Sequence, residues 1–113
     1  MDTTLPVTQM LYTEEQRMAI AAFRRFADAE LLPLADHHEK LGAPPDRPAL
    51  LRIFRQLEDF GLVSGLLPAS EGGAGIDRFT YGLLYEELAR VWPDMAIAIL
   101  IQSHVALLLA NLA

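Results

Sequence analysis

Metal-ligating side chains are densest in the run Asp36-His37-His38-Glu39, four in succession, which invites a metal reading. The spacing argues against it. Neighbours on a helix point about 100° apart, so His37 and His38 cannot both face one ion from a single helix, and the run reads as a solvated helix end. A second candidate is Glu71-Gly72-Gly73-Ala74-Gly75-Ile76-Asp77, whose glycines could bring backbone amides up to a phosphate. No lysine follows those glycines and no strand precedes them, and the order matches neither the dinucleotide-binding pattern nor the P-loop. Three glycines in four residues read instead as a turn, with positive backbone dihedrals, that re-aims the chain between two helices. A third polar group, Gln102-Ser103-His104, interrupts an apolar run from Met95 to Ala113 and is expected to face a cavity. It lacks a nucleophile, base and orienter set, because His104 has no carboxylate nearby in sequence. No catalytic residue and no metal ligand is assigned.

Helices must position these groups. Thr13-Glu14-Glu15-Gln16 fits a capping box that opens a first helix, with Ile20, Phe23, Ala27, Leu31 and Leu34 on its apolar side and Arg17, Arg24 and Asp28 elsewhere. Pro33 interrupts it, so a kink is expected near Leu32, with helix resuming to about Lys40 before Gly42. After the connector Gly42-Ala43-Pro44-Pro45, Asp46 caps a second helix with Pro48 in its first turn. Its stripe is Leu50, Phe54 and Leu57, its wet face Arg52, Arg55, Glu58 and Asp59, and its stop Gly61. Leu62 to Leu67 is too short to classify by periodicity.

Asp77 starts a third helix with Tyr81, Leu84, Leu88 and Val91 on one face, and Glu86 and Arg90 spaced for a surface ion pair. Pro93 breaks it at Trp92, and Asp94 is a cap for the next helix. The last segment is apolar nearly all round, which places it in a core or a membrane. Its 19 residues approach the roughly 20 of a bilayer span, but the polar triplet falls at its middle, where lipid penalises it most, and basic flanks are missing. A core helix is expected, covered in part by the helices led by Asp77 and Thr13. No strand of convincing alternation is present. The class is all-α, an orthogonal or up-down bundle of about four to five helices.

The 113 residues suit one domain, 52% apolar and 21% charged, so disorder is not expected. A net charge of −6 offers no field for a nucleic acid. The chain has no cysteine, which excludes a disulfide framework and thiolate chemistry and fits a reducing, cytoplasmic location. Asp2 stands where a signal peptide would be basic, so residues 1–10 read as a tail and not a secretory leader.

Taken in order, TEEQRMAIAAFRRFADAELLPLA, FRQLEDFGLVSGLLPASEGGAGID and YGLLYEELARVWPDMAIAIL closely resemble the N-terminal helical domain of the acyl-CoA dehydrogenase family, from about Leu11 to Ala113. The sharpest elements are Pro33 inside the first helix, the stretch from Leu57 to Gly65, the loop residues Pro68, Gly72, Gly73, Gly75 and Asp77, and Glu86 to Arg90. The resemblance implies a longer parent enzyme that binds FAD and oxidises an acyl-CoA thioester to its α,β-enoyl-CoA. In it a carboxylate base takes the α-proton while the β-hydrogen leaves as hydride to the flavin. That base lies in a C-terminal helical domain and much of the flavin site in a middle β-domain. Neither is in this sequence, so the 113 residues alone are expected to be inactive and to hold no cofactor. The implied partners are the remaining domains, an electron acceptor such as an electron-transfer flavoprotein, and further copies in a homo-oligomer.

For this segment the resemblance implies one wall of the acyl-chain cavity, carried by Ala96, Ile97, Leu100 and His104. These four follow one helical face at three- and four-residue spacing. The family often places a His or Asn before a small polar residue here, whereas this chain reads Gln102-Ser103-His104. The alternative is a stand-alone helical interaction module with the same fold and no catalysis.

Overall fold

The computed structural model describes residues 12–71, 73 and 75–112; the expected tail over 1–10, and Gly72 and Ala74 of the loop, lie outside the described residues. Helix α1 (Glu14–Phe26) starts on the capping box read from sequence. Thr13 Oγ1 accepts the Gln16 amide at 3.1 Å, and Gln16 Oε1 accepts the Thr13 amide at 2.9 Å. Such a cap is worth about 1 kcal/mol. The chain then runs without a break through a π-turn at Ala27–Leu31 into α2 (Leu32–Leu41). Where a kink was expected near Leu32, the helical run carries a π-turn. The Leu32 amide reaches the Ala27 carbonyl, five residues back, and the wider turn makes room for Pro33, whose ring would otherwise crowd the carbonyl four residues before it.

Asp46 caps α3 (Arg47–Glu58), its Oδ1 accepting the Ala49 amide at 3.0 Å. The buried side chains of α3 are Ile53 and Leu57. Leu50 and Phe54, expected on the stripe with Leu57, are half-buried at its edges, because the face turns about Ile53 and Leu57, one helical turn apart. At Gly61, φ is 84°, a left-handed value that glycine reaches at no steric cost. Its amide bonds to the Glu58 carbonyl and that of Leu62 to the Leu57 carbonyl, which closes the helix in a Schellman motif. Residues 59–67 are successive turns, neither helix nor strand, and drive Leu62 into the core.

Helix α4 (Arg78–Val91) is capped by Asp77, whose Oδ1 accepts the Thr80 amide at 2.8 Å. Thr80 Oγ1 also donates to Asp77 Oδ2 and accepts from Gln16 Nε2 at 3.2 Å, which links the caps of α1 and α4. All four expected stripe residues, Tyr81, Leu84, Leu88 and Val91, are buried. Helix α5 (Pro93–Leu112) follows a break at Trp92, with φ −149° and ψ 80°. Trp92, not Asp94, is the capping position, since its carbonyl accepts the Ala96 amide. Asp94 sits in the first turn, where a carboxylate favours the helix dipole.

Helix α4 is the centre of the fold, packed on α1 and on α5. The fully buried large side chains are Phe23, Leu31, Leu57, Leu62, Leu88 and Ile99, each worth about 1.5–3 kcal/mol of apolar burial. Phe60 closes an aromatic triangle with Phe23 and Phe26, at centroid distances of 5.0 and 5.2 Å. The expected surface pair of Glu86 with Arg90 does not form. Arg90 bonds Glu87 at 3.1 Å and Asp28 at 2.9 Å, and Arg24 grips the same Glu87, because Glu87 faces α1 and Glu86 faces away. The radius of gyration is 15.2 Å, against about 13 Å for a compact chain of this length. Beyond Ser103 no described side chain of α5 is fully buried.

Candidate functional site

Helix α5 has two unlike faces. Met95, Ala96, Ile99 and Ser103 turn inward at 3% exposure or less. Ile97, Leu100, Ile101, Val105, Leu108 and Leu112 turn outward, from 38% exposed at Leu100 to 83% at Leu112. The four residues expected to share a face are therefore divided: Ala96 belongs to the core, while Ile97, Leu100 and His104 lie on the outward stripe. Ala96 sits at the stripe's inner edge, one helical turn from Leu100. The inward face is covered by α4 and the 59–67 turns, and the Thr13-led helix α1, expected to cover it too, packs chiefly on α4.

The polar triplet does not face one cavity. Ser103 Oγ is buried and lies 2.8 Å from the Tyr81 hydroxyl, which in turn donates to the Leu62 carbonyl at 3.0 Å. Burial pushes the Tyr81 phenol above its ordinary range, and the bond to Ser103 opposes that rise. Gln102 is half-buried, and its Oε1 has no hydrogen-bond partner among the described residues. His104 is exposed, and its Nδ1 donates to the Leu100 carbonyl at 2.8 Å. With Nδ1 so engaged, Nε2 is the ring nitrogen left for other partners on the outward stripe. Consecutive residues on a helix diverge by about 100°, which is why three polar neighbours reach three different environments.

At the other end of α5 a cleft of about 730 Å³ opens between α2, the Pro44-Pro45 connector and the α4–α5 junction. His38 stacks on Trp92 across it, centroids 6.0 Å apart and planes 14° from parallel, with Nδ1 at 3.1 Å from the Ala43 carbonyl. The Asp36 to Glu39 run is thus solvated at three of its positions, and His38 alone docks on the core. Pairing a histidine with a tryptophan 54 positions away left no signal in local spacing. Among the described residues no group of three or more His, Cys, Asp or Glu side chains could hold a metal ion.

Three described amides of the glycine loop are bonded to carbonyls of the loop and of the turns before it. The Gly73 amide bonds to the Pro68 carbonyl at 3.1 Å, that of Gly75 to Leu67 at 2.9 Å, and that of Ile76 to Gly65 at 2.9 Å. Amides so engaged cannot cradle a phosphate. The expected positive dihedral is found at Gly75, with φ 66°. Gly73 is required for a different reason: a Cβ there would stand 2.3 Å from the Leu67 carbonyl oxygen. Among the described residues no helix is long and apolar enough to cross a membrane.

Residues 13–113 match the family described as acyl-CoA dehydrogenase, N-terminal domain. The chain is similar to a probable acyl-CoA dehydrogenase, YngJ, of Bacillus subtilis (strain 168), 31% identical over 78 residues, covering 69% of this chain and 19% of that protein. It is similar to cyclohex-1-ene-1-carbonyl-CoA dehydrogenase of Syntrophus aciditrophicus (strain SB), 31% identical over 91 residues, 80% of this chain and 21% of that protein. Benzylmalonyl-CoA dehydrogenase of Aromatoleum aromaticum is 32% identical over 91 residues, 80% of this chain and 23% of that protein. The chain spans about a fifth of the length of these relatives. No solved structure matches it.

Proposed function

The chain belongs to the acyl-CoA dehydrogenase family, as its N-terminal helical domain, and on that premise we propose that it supplies the apolar wall against which a longer enzyme seats the acyl chain of a CoA thioester. The supporting observation is the outward stripe of α5. Ile97 and Leu100 are large, apolar and exposed, and no formal charge lies between Asp94 and the end of the helix. A hydrocarbon chain laid on that stripe would remove apolar surface from water at about 25 cal/mol per Å². Leu100 sits mid-stripe, so its bulk would set the depth of the cavity; His104, one turn on, would supply the single polar contact.

The reaction we assign to the parent enzyme is α,β-dehydrogenation of that thioester. FAD would take the β-hydrogen as hydride when bound. The described loop amides of Gly73, Gly75 and Ile76 are engaged by nearby carbonyls and offer that cofactor no donor. This domain then neither holds flavin nor abstracts a proton. It orients the acyl group and excludes water from it. The lack of cysteine accords with a cytoplasmic enzyme.

Replacing Leu100 with Trp in an enzyme carrying this segment tests the reading. The longest acyl chain accepted should shorten while flavin content is unchanged, because bulk is added to the cavity alone. An unaltered chain-length profile in a folded enzyme removes Leu100 from the cavity. The 113-residue chain by itself should show no flavin absorbance and no dye reduction with any acyl-CoA.

A further inference from the structure

We infer that Ser103 and His104 are positioning residues: together they fix the rotation of α5 about its own axis, and through it which side chains α5 presents to the acyl chain. The second half of that statement rests on the cavity-wall reading, the first on the core alone. Apolar burial by itself does not choose a rotation for this helix. Its described residues at 3% exposure or less are Met95, Ala96, Ile99 and Ser103. Advancing every position by one, a turn of about 100°, would bury Ala96, Ile97, Leu100 and His104 instead. Met, Ala and Ile are then exchanged for Ala, Ile and Leu, a trade of nearly equal volume that a core accepts at little cost. The two rotations differ in kind only at the last position, serine against histidine. Retreating by one position is barred separately, since it would bury the Asp94 carboxylate.

The site at that last position is built for a serine. Ser103 is the one buried polar residue among those described, and α5 has no other Ser or Thr. Its Oγ lies 2.8 Å from the Tyr81 hydroxyl and 3.5 Å from the carbonyl oxygens of both Leu62 and Val63. Three oxygens that close to one atom leave no room for an imidazole, so His104 cannot enter without forcing α5 away from Tyr81. His104 instead folds back on its own helix, Nδ1 donating to the Leu100 carbonyl at 2.8 Å. A buried polar group that selects one register among apolar near-equals has the role of the lone buried asparagine of a coiled coil. The choice matters outside the core. The native rotation turns Ile97, Leu100 and His104 outward, whereas the advanced one would put Ala98, Ile101 and Val105 in their places, a wall of less bulk.

The test moves the hydroxyl along the helix in an enzyme carrying this segment. In a crystal structure of the double variant Ser103→Ala/His104→Ser, α5 should stand turned by about 100°, with the relocated hydroxyl on Tyr81 and Leu100 in the core. His104→Ser alone keeps the native bond available and should show α5 divided between the two rotations; it carries the test where the double variant does not fold. Ser103→Ala alone should keep the native rotation, because His104 still bars the other. In kinetics, the double variant should accept longer acyl groups than the parent, with kcat/KM rising about tenfold or more for a substrate one methylene beyond the parent's limit. His104→Val, which loses the imidazole but gains no hydroxyl, should fall short of that gain. Native rotation of α5 in both His104→Ser variants overturns the assignment whatever the kinetics. A turned α5 with an unchanged acyl profile upholds the assignment of rotation and overturns the cavity-wall reading instead.

Discussion

The hydroxyls of Tyr81 on α4 and Ser103 on α5 lie 2.8 Å apart inside the core, and Tyr81 carries the link on to the Leu62 carbonyl at 3.0 Å. One buried polar bridge thus pins two helices and the 59–67 turns together. Because it fixes the rotation of α5, it also decides that Ile97, Leu100 and His104 turn outward. With Tyr81 donating to Leu62, the phenol oxygen is left to accept from Ser103, so both hydroxyls are satisfied.

Removing either hydroxyl should cost more than an ordinary surface bond. Tyr81→Phe removes the short bonds to the Leu62 carbonyl and to Ser103, leaving Ser103 Oγ only its 3.5 Å bonds to the Leu62 and Val63 carbonyls, at about 1–2 kcal/mol. Ser103→Ala should cost about 1 kcal/mol. The double variant should lose less than the sum of the two, since the second change removes a group that has already lost its short bond. Urea unfolding followed by Trp92, the only tryptophan and 7% exposed, measures all three. Strict additivity would mean that the two hydroxyls are not coupled.

Glu87 gives the fold an acid-sensitive joint. Hydrogen bonds from Arg24, then from Arg90, hold its carboxyl below the ordinary glutamate value of 4.5, against the opposing effect of burial. Asp77 is lowered as well, by the amide and hydroxyl of Thr80. A carboxyl whose folded pKa is depressed stabilises the native state fully above its unfolded value, and that contribution is lost as pH falls through the folded pKa. Stability should therefore be flat near neutrality and decline below about pH 4.5. Glu87→Gln should cost on the order of 1 kcal/mol at pH 7, since both arginines are about half-exposed, and should make the acid limb shallower. Urea midpoints at pH 7, 5, 4 and 3 test both statements.

The elements legible in the sequence were those written in local chemistry. Thr13 and Asp46 cap the helices they were expected to cap, Asp77 stands at the start of the helix it was expected to start, and the α4 stripe is buried at all four positions. What was not legible depends on partners distant in the chain. Arg90 passes over Glu86 for Glu87 and Asp28, a choice made by the packing of α1 on α4. Asp94 gives up the capping position to Trp92 because Pro93 is itself the first helical residue. Of the candidate site, the spacing of Ala96, Ile97, Leu100 and His104 gave one face. It could not give the depth at which α5 sinks onto α4, and that depth alone separates Ala96 from the other three.

Three glycines should respond differently to one added methyl group. At Gly75 the strain is conformational: φ is 66°, the nearest atom to a new Cβ is 3.4 Å away, and Gly75→Ala should cost on the order of 1 kcal/mol. At Gly73 the obstacle is steric and made of backbone, with carbonyl oxygens of Leu67 and Ser64 at 2.3 and 2.5 Å from the Cβ position. Backbone cannot swing aside as a side-chain tip can, so Gly73→Ala must open the loop and should cost several-fold more than Gly75→Ala, about 3 kcal/mol or above. Gly82 lies on the exposed side of α4 with nothing within 4 Å of a Cβ, and there Ala should stabilise by about 0.5–1 kcal/mol through helix propensity. The order of urea midpoints should accordingly be Gly82→Ala, native, Gly75→Ala, Gly73→Ala. If Gly73→Ala unfolds no more easily than Gly75→Ala, the loop has room that the Leu67 and Ser64 carbonyls deny it here, and its amides would then be free to bond something other than the loop itself.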